Sequence, residues 1–127
     1  MPGRERVAAL VAMVEEGKFV EAIEAFYAED ATMQENNEAP RGGRDKLIEH
    51  ERKMLAAHKA ARTLPGSTFL LDGDTAVIRW AFVFTRQDGT SFRMEELAHQ
   101  RWRGDRIVEE RFFYDPAQLS ARHASPE

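Results

Sequence analysis

The sequence predicts one α+β domain in which N-terminal helices cap a curved antiparallel sheet. Three observations predict this fold: a helical repeat of apolar residues in the first half, a strand repeat in the second half, and a length of 127 residues. A chain of this length can bury one core without metals or disulfides. Because a meander of strands has one bare apolar face, we expect the helices to cover it and to leave an internal pocket.

Three helices are predicted in the first half. The first, over residues 4–16, has apolar residues at the spacing of an amphipathic helix, and Gly17 interrupts it. The second is short and places these apolar residues on one face: Phe19, Val20, Ile23, Phe26 and Tyr27. After a short extended stretch and a turn-rich loop at residues 36–43, the third helix is expected over residues 44–60.

The third helix has polar residues at the centre of its apolar face. At about 100° per residue, that centre falls on Glu51 and His58. A polar residue in such a position usually needs a partner, so both are candidate pocket residues. The simpler interpretation is a helix that tolerates polar residues near its open end. His50, at one edge of the stripe, and His99 are expected on the surface.

Four strands joined by tight turns are predicted in the second half. We expect them at residues 67–71, 75–86, 90–103 and 106–114, with Asp115-Pro116 ending the last one. The polar tail that follows is expected to fray. We therefore predict a single domain over residues 1–116 and a tail over residues 117–127.

Alternation along the strands predicts which side chains face the helices. The inward residues of the third strand are Met94, Glu96, Ala98, Gln100 and Trp102, because the other face of that strand is wetter. The inward residues of the last strand are Val108, Glu110, Phe112 and Tyr114. Glu96 and Glu110 are therefore predicted to be inward carboxyl groups.

The hairpin at Asp88-Gly89 leaves the facing of the preceding strand open. A two-residue turn would pair Gln87 with Thr90 and turn Arg79 towards the core. A three-residue loop or a bulge would turn the opposite face inward.

We favour the loop or bulge because the face that it turns inward is continuously apolar. That face carries Trp80 and Phe82, which would then lie opposite Ala98 and Glu96. The alternative stays open, since a partner chain could bury the outer face.

Composition argues against several classes of function. The chain has no Cys, which excludes disulfides, thiol nucleophiles and thiolate metal sites. The spacing of His and carboxylate residues has no metal signature, so we expect no metal and no cofactor. A net charge of −4 without a basic stripe argues against nucleic acid. No segment has the roughly 20 apolar residues of a membrane helix and the start lacks a signal-type apolar stretch, so we expect a cytoplasmic protein without membrane contact.

Two groups of motif residues carry a family resemblance. The first is Phe-Tyr-Ala-Glu-Asp-Ala-Thr at residues 26–32 with Pro40-Arg41-x-Gly43, and the second is residues 100–108 with the closing residues 112–114. They resemble the SnoaL-like proteins of the nuclear-transport-factor-two-like superfamily, relatives of ketosteroid isomerase. The resemblance implies a cone-shaped sheet capped by helices, a cystatin-like α+β barrel, and often a homodimer. The superfamily includes isomerases, cyclases, dehydratases, hydrolases and binding proteins, so the resemblance implies the fold more than an activity.

The resemblance also implies where a catalytic base would lie. The general base of the isomerase falls in the stretch after Ala-Thr, where this chain has Glu35. The two oxyanion donors of the isomerase fall at Val11 and Ala98, which cannot donate. Because such donors supply about 3 to 4 kcal/mol, steroid isomerisation is not expected. The Asp–Arg–Asp set of the epoxide-hydrolase relatives is not evident. The simpler interpretation of Glu35 is a solvent-facing carboxylate at the edge of a loop.

We predict a pocket that binds a small hydrophobic oxygenated molecule. The candidate catalytic residues are Glu35, Glu96 and His58, because two carboxyl groups in one apolar cavity can act as acid and base. The candidate ligand-binding residues are Met33, Glu51, Met54, Trp80, Phe82, Gln100, Glu110, Phe112 and Tyr114. The simpler interpretations are that Glu96 pairs with an arginine such as Arg79 and that the aromatic residues only pack. The alternative function is a non-catalytic dimeric domain for binding or assembly.

Overall fold

The computed structural model describes residues 1–123, in which three helices pack against one curved seven-stranded sheet. The helices are α1 (Arg4–Glu15), α2 (Phe19–Phe26) and α3 (Arg44–Ala57). The strands are β1 (Tyr27–Glu35), β2 (Arg41–Gly42), β3 (Ala60–Thr63), β4 (Thr68–Asp72), β5 (Thr75–Thr85), β6 (Ser91–Arg103) and β7 (Arg106–Phe113). A short 3-10 helix follows at Pro116–Ser120. The predicted α+β fold class is confirmed.

The first two helices form where their apolar residues can be buried together. Val7 and Leu10 of α1, and Ile23 of α2, lie in the core between the helices and the sheet. Gly17 has a φ of +82°, a left-handed conformation that suits glycine, and it turns the chain from α1 into α2. None of the helices within residues 1–123 is long and apolar enough to cross a membrane.

Tyr27 begins a strand and does not extend α2 as predicted. Its backbone is extended, with φ −103° and ψ 143°, and it pairs with Ile107 of β7. The pairing of β1 with β7 is parallel, so the sheet is mixed, whereas a wholly antiparallel sheet was expected. Parallel pairing is possible here because nearly the whole domain connects the two strands.

The sheet is curved but does not close into the barrel that the resemblance implied. Among the described strands, the order runs from β2 through β1, β7, β6 and β5 to β3, and β4 also pairs with β5. One face of this open sheet is covered by the helices, as predicted.

The third helix is shorter than predicted and a strand follows it. The helix ends at Ala57, and His58 is already extended, with φ −114° and ψ 149°. Ala60 then pairs with Thr85 at the start of the β3–β5 ladder. The predicted helix end at Ala60 is wrong because these residues gain backbone partners along β5.

A three-residue loop closes the β5–β6 hairpin. The Arg86 backbone N–H donates to the Thr90 carbonyl at 2.7 Å, and Gly89 takes a φ of +87° inside the loop. Thr85 and Ser91 form the first strand pair beyond it. Compared with a two-residue turn, this loop reverses which face of β5 points towards the helices. The favoured alternative requires this reversal.

The favoured facing of β5 is confirmed, with one change in register. Trp80 and Phe82 face the helices, and Arg79 faces outward. Trp80 lies opposite Glu96, and Phe82 lies opposite Met94. The predicted partners were Ala98 and Glu96, so the register differs by two residues along β6.

A bulge between β6 and β7 corrects one predicted inward residue. Arg101 pairs with Glu109, but Trp102 pairs with Ile107, so one residue of β7 is left over. Ile107 is fully buried and belongs to the core, whereas Val108 is buried outside that cluster.

The first part of the tail is docked on β6 and is not frayed. The Gln118 side chain accepts from the Glu95 backbone N–H at 2.8 Å and donates to the Glu95 carbonyl at 3.1 Å. His123 forms an antiparallel bridge with Ser91. This docking brings Leu119 to the wall of the internal cavity. Residues 124–127 of the predicted tail lie outside the described residues.

Candidate functional site

A partly enclosed cavity of about 310 Å³ lies between the helices and the inner face of the sheet. Its wall includes all twelve of the residues that the sequence singled out as candidates. They are Met33, Glu35, Glu51, Met54, His58, Trp80, Phe82, Glu96, Gln100, Glu110, Phe112 and Tyr114. The structure thus brings the candidates together, and their roles stay predictions.

Aromatic rings make a large part of the wall. The Phe84 and Phe92 rings are stacked with centroids 5.2 Å apart, and Phe82 lies 5.8 Å from Phe84. Trp80 continues the row, 6.0 Å from Phe82. Such a wall favours a ligand with flat apolar surface.

Glu96 is a buried carboxyl group without a partner. It is 8% exposed and projects from β6 beside Trp80. No hydrogen bond or ion pair reaches its carboxyl group within residues 1–123, and Arg79 pairs instead with Glu95 at 3.0 Å on the outer face. Burial, together with the charges of neighbouring carboxylates, raises the pKa of Glu96 to about 8. Glu96 therefore carries a proton at neutral pH.

Glu35 is a half-buried carboxylate with two donors. The Arg41 Nη1 atom lies 2.7 Å from its Oε2, and the Tyr114 hydroxyl donates to its Oε1 at 2.9 Å. Burial and the bond to Glu35 raise the pKa of Tyr114. Glu35 is thus an ion-paired group at the end of β1 that lines the cavity, and its role stays a prediction.

Glu110 belongs to a buried chain of hydrogen bonds. One of its oxygens accepts from the Tyr27 hydroxyl, and the other accepts from Gln100 Nε2 at 2.6 Å. Gln100 Oε1 in turn accepts from Trp102 Nε1 at 3.1 Å. Burial raises the pKa of Glu110 to about 7, although its two donors act in the opposite direction. Burial and Glu110 also raise the pKa of Tyr27.

Glu51 enters the cavity from the helical side, at the position on α3 that the sequence predicted. Burial raises the pKa of Glu51 to about 6, and the positive charge of Arg41 opposes this shift. Its carboxyl group has no hydrogen-bond partner in the described part of the chain. Two unpartnered carboxyl groups, Glu51 and Glu96, therefore enter the cavity from different layers.

His58 lies at the end of α3, against the aromatic row. Its Nδ1 is 2.9 Å from the Met54 carbonyl, and its ring centroid is 5.3 Å from that of Phe84. In the neutral ring this bond makes Nδ1 the donor and leaves Nε2 as an acceptor. His50, which was expected on the surface, is exposed and also lines the cavity, and partial burial lowers its pKa.

Three polar residues of the wall were not predicted: Tyr27, Arg41 and His50. Arg41 stood in the Pro-Arg-x-Gly motif, which we had used only to identify the fold. The sequence pattern places Tyr27 on the apolar face of a helix. The sequence signal that could have identified Arg41 is its charge within an otherwise turn-forming loop that follows the candidate base.

The charge balance of the wall is negative. Four carboxyl groups line the cavity, and the one arginine among the described lining residues is already paired with Glu35. No group of three His, Asp or Glu side chains in residues 1–123 is arranged to hold a metal ion.

These features define an α+β protein with an internal cavity of the kind that receives small molecules. The family model of the SnoaL-like domain matches residues 7–110, and the chain belongs to this family. The resemblance seen in the sequence motifs is thereby confirmed. No curated protein matches the chain by sequence.

Solved structures share the fold at low sequence identity. An NTF2-like protein of unknown function from Burkholderia pseudomallei K96243 is 17% identical, with a TM-score of 0.77 over 91% of this chain and 92% of its own. A proposed SnoaL-like polyketide cyclase from Jannaschia sp. CCS1 is 9% identical, with a TM-score of 0.80 over 100% and 97%. A hypothetical protein with a ketosteroid isomerase-like fold from Catenulispora acidiphila DSM 44928, in complex with trimethylamine, is 20% identical, with a TM-score of 0.79 over 97% and 95%. At these identities the likeness shows the fold alone.

Proposed function

We propose that this protein binds a small hydrophobic oxygenated molecule in the cavity and exchanges a proton with it. The observation that carries the proposal is the unpartnered carboxyl group of Glu96 beside a row of aromatic rings. A buried polar group without a partner is unfavourable, so it is retained where a ligand completes it. A carboxyl group that holds its proton near neutral pH suits general acid–base chemistry.

In this proposal Glu96 acts as the acid and Glu35 acts as the base. Glu96, protonated at neutral pH, gives its proton to the ligand, and the ion-paired carboxylate of Glu35 accepts one from it. Each oxygen of Glu35 accepts one hydrogen bond and has a lone pair left for this purpose. In an isomerase or cyclase step this exchange leaves the ligand with the same number of protons. In a dehydratase step the Glu96 proton leaves with the ligand hydroxyl group as water, and Glu35 holds the proton taken from the ligand. Such a step needs no redox cofactor.

Thermal-shift screening with carboxyl variants tests this proposal. Compounds that take up the Glu96 proton on binding are expected to lose at least half of their shift in melting temperature in Glu96→Gln, because the amide has no proton to give. Glu35→Gln should keep binding but slow the exchange of ligand hydrogens with D₂O, followed by NMR. Glu109→Gln is the matched control, since Glu109 is exposed and pairs with Arg101. Equal shifts in the wild type and Glu96→Gln would overturn the role of Glu96, and equal exchange rates in the wild type and Glu35→Gln would overturn the role of Glu35.

A second candidate function is a non-catalytic dimeric binding or assembly domain. The observation that favours it is an exposed apolar pair on the outer sheet face. Leu97 and Phe113 are cross-strand neighbours and are 46% and 43% exposed. Large apolar side chains that are exposed side by side often mark an interface.

The dimer proposal predicts that Leu97→Lys abolishes self-association. Light scattering after size-exclusion chromatography should give the mass of two chains for the wild type and of one chain for the variant, because the lysine charge cannot be desolvated in an apolar interface. Leu70→Lys is the comparison variant, since Leu70 is 76% exposed and lies on β4, two strands from Leu97. A wild-type mass of one chain would contradict the proposal.

A further inference from the structure

Glu96 lies between two aromatic residues. Trp80 is its cross-strand neighbour on β5. On the other side, Leu97 pairs with Phe113 and Ala98 with Phe112, and Tyr114, the residue after Phe113, lines the same cavity as Glu96. Burial and the bond to Glu35 raise the pKa of Tyr114 most, and the charge of Glu96 adds a smaller contribution.

A carboxyl group framed by a tryptophan and a tyrosine is a suitable environment for an organic cation. Aromatic faces attract cations, and they do so more strongly where water is excluded. The carboxyl oxygens supply the counter-charge and accept N–H donors. No cationic side chain of the described residues contacts Glu96, so its carboxyl oxygens are available to a ligand.

The other charged groups of the cavity also favour a cationic ligand. Glu51 is unpartnered, Glu110 is satisfied by neutral donors, and the Arg41 charge is taken by Glu35. An anionic ligand would meet three carboxyl groups besides the Glu35–Arg41 pair, and a cation would reduce the repulsion among them.

We propose that the ligand carries an amino group, which binds as an ammonium ion to Glu96 between Trp80 and Tyr114. The proposal rests on the proposed function, because it uses the same carboxyl group, and it names the ligand group that this carboxyl group binds. A neutral amine takes the proton from the Glu96 oxygen onto its nitrogen. If the ligand arrives already as an ammonium ion, the Glu96 proton leaves to solvent. In both cases the bound state is one carboxylate and one ammonium ion.

Three probes of matched shape and different charge test the proposal by titration calorimetry. They are naphthalen-1-ylmethylamine, naphthalen-1-ylmethanol and naphthalene-1-carboxylate. We expect the amine to bind about tenfold more tightly than the alcohol near pH 8, and the carboxylate to bind most weakly. Below that pH, binding of the ammonium form should release a proton to the buffer, which titrations in buffers of different ionisation enthalpy reveal.

Two variants test whether the preference for the amine depends on Glu96. Glu96→Gln should lower the affinity for the amine about tenfold and change that for the alcohol less than about twofold, which also shows that the variant is folded. Glu109→Gln should leave all three affinities unchanged, because Glu109 is exposed away from the cavity.

The outcomes separate this inference from the proposed function. If the alcohol binds as tightly as the amine and depends on Glu96, the ammonium proposal is overturned and the proposed function stands. If Glu96→Gln leaves amine affinity unchanged, the ammonium proposal is likewise overturned. If no probe binds the wild type, both proposals are rejected.

Discussion

Glu96→Gln is expected to raise the free energy of unfolding by about 4 kcal/mol at about pH 8.5 and by less than about 1 kcal/mol at about pH 5. Burial raises the pKa of Glu96 in the folded protein to about 8, from an ordinary value of 4.5. Between these two values the unfolded chain releases the proton and the folded protein keeps it. The stability that the protonated group contributes is therefore complete below the lower value and is lost as the pH rises through the upper one. Glutamine keeps the shape and has no charge to bury.

Urea unfolding at several pH values measures this effect. The wild type should lose stability steadily between about pH 5 and 8, and the slope against pH should be smaller in Glu96→Gln. Some slope should remain, because burial also raises the pKa values of Glu110 to about 7 and of Glu51 to about 6. Glu109→Gln, on the exposed outer face, should keep the wild-type slope. A parallel pH dependence in wild type and Glu96→Gln would show that Glu96 ionises freely in the cavity.

Strand alternation predicted much of the site because it is a local property. Once residues 90–103 were recognised as a strand, Glu96, Gln100 and Trp102 had to share one face. The position of Glu51 on α3 followed from helical periodicity in the same way. Neither inference required knowledge of which elements are neighbours.

The partners of these side chains could not be predicted, because they depend on non-local pairing. Tyr27 looked like the end of a helix, and only its parallel pairing with β7 makes it a donor to Glu110. The register of β5 against β6 depended on one residue in the hairpin loop, and that residue decided which side chain lies beside Glu96. The bulge opposite Trp102 had no sequence signal at all.

The buried chain from Trp102 to Tyr27 should make Gln100→Leu strongly destabilising. Gln100 is fully buried, and both ends of its amide are used: it donates to Glu110 and accepts from Trp102. Leucine fills a similar space but leaves one buried acceptor and one buried donor unsatisfied. We expect the free energy of unfolding to fall by about 3 kcal/mol, because a lost partner costs more than the hydrogen bond itself contributes.

A double-mutant cycle with Glu110→Leu separates this cause from a simple packing defect. Without the Glu110 carboxylate, the Gln100 N–H groups lose their acceptor, so Gln100→Leu should then cost about 1 kcal/mol or less. The coupling of about 2 kcal/mol would measure the dependence of the buried carboxylate on its amide donor. Equal costs in the two backgrounds would mean that Gln100 acts only through its shape. A dependence on Glu110 would instead show that the hydrogen-bond chain, which holds one of the four cavity carboxyl groups in a single orientation, stabilises the inner face of the sheet.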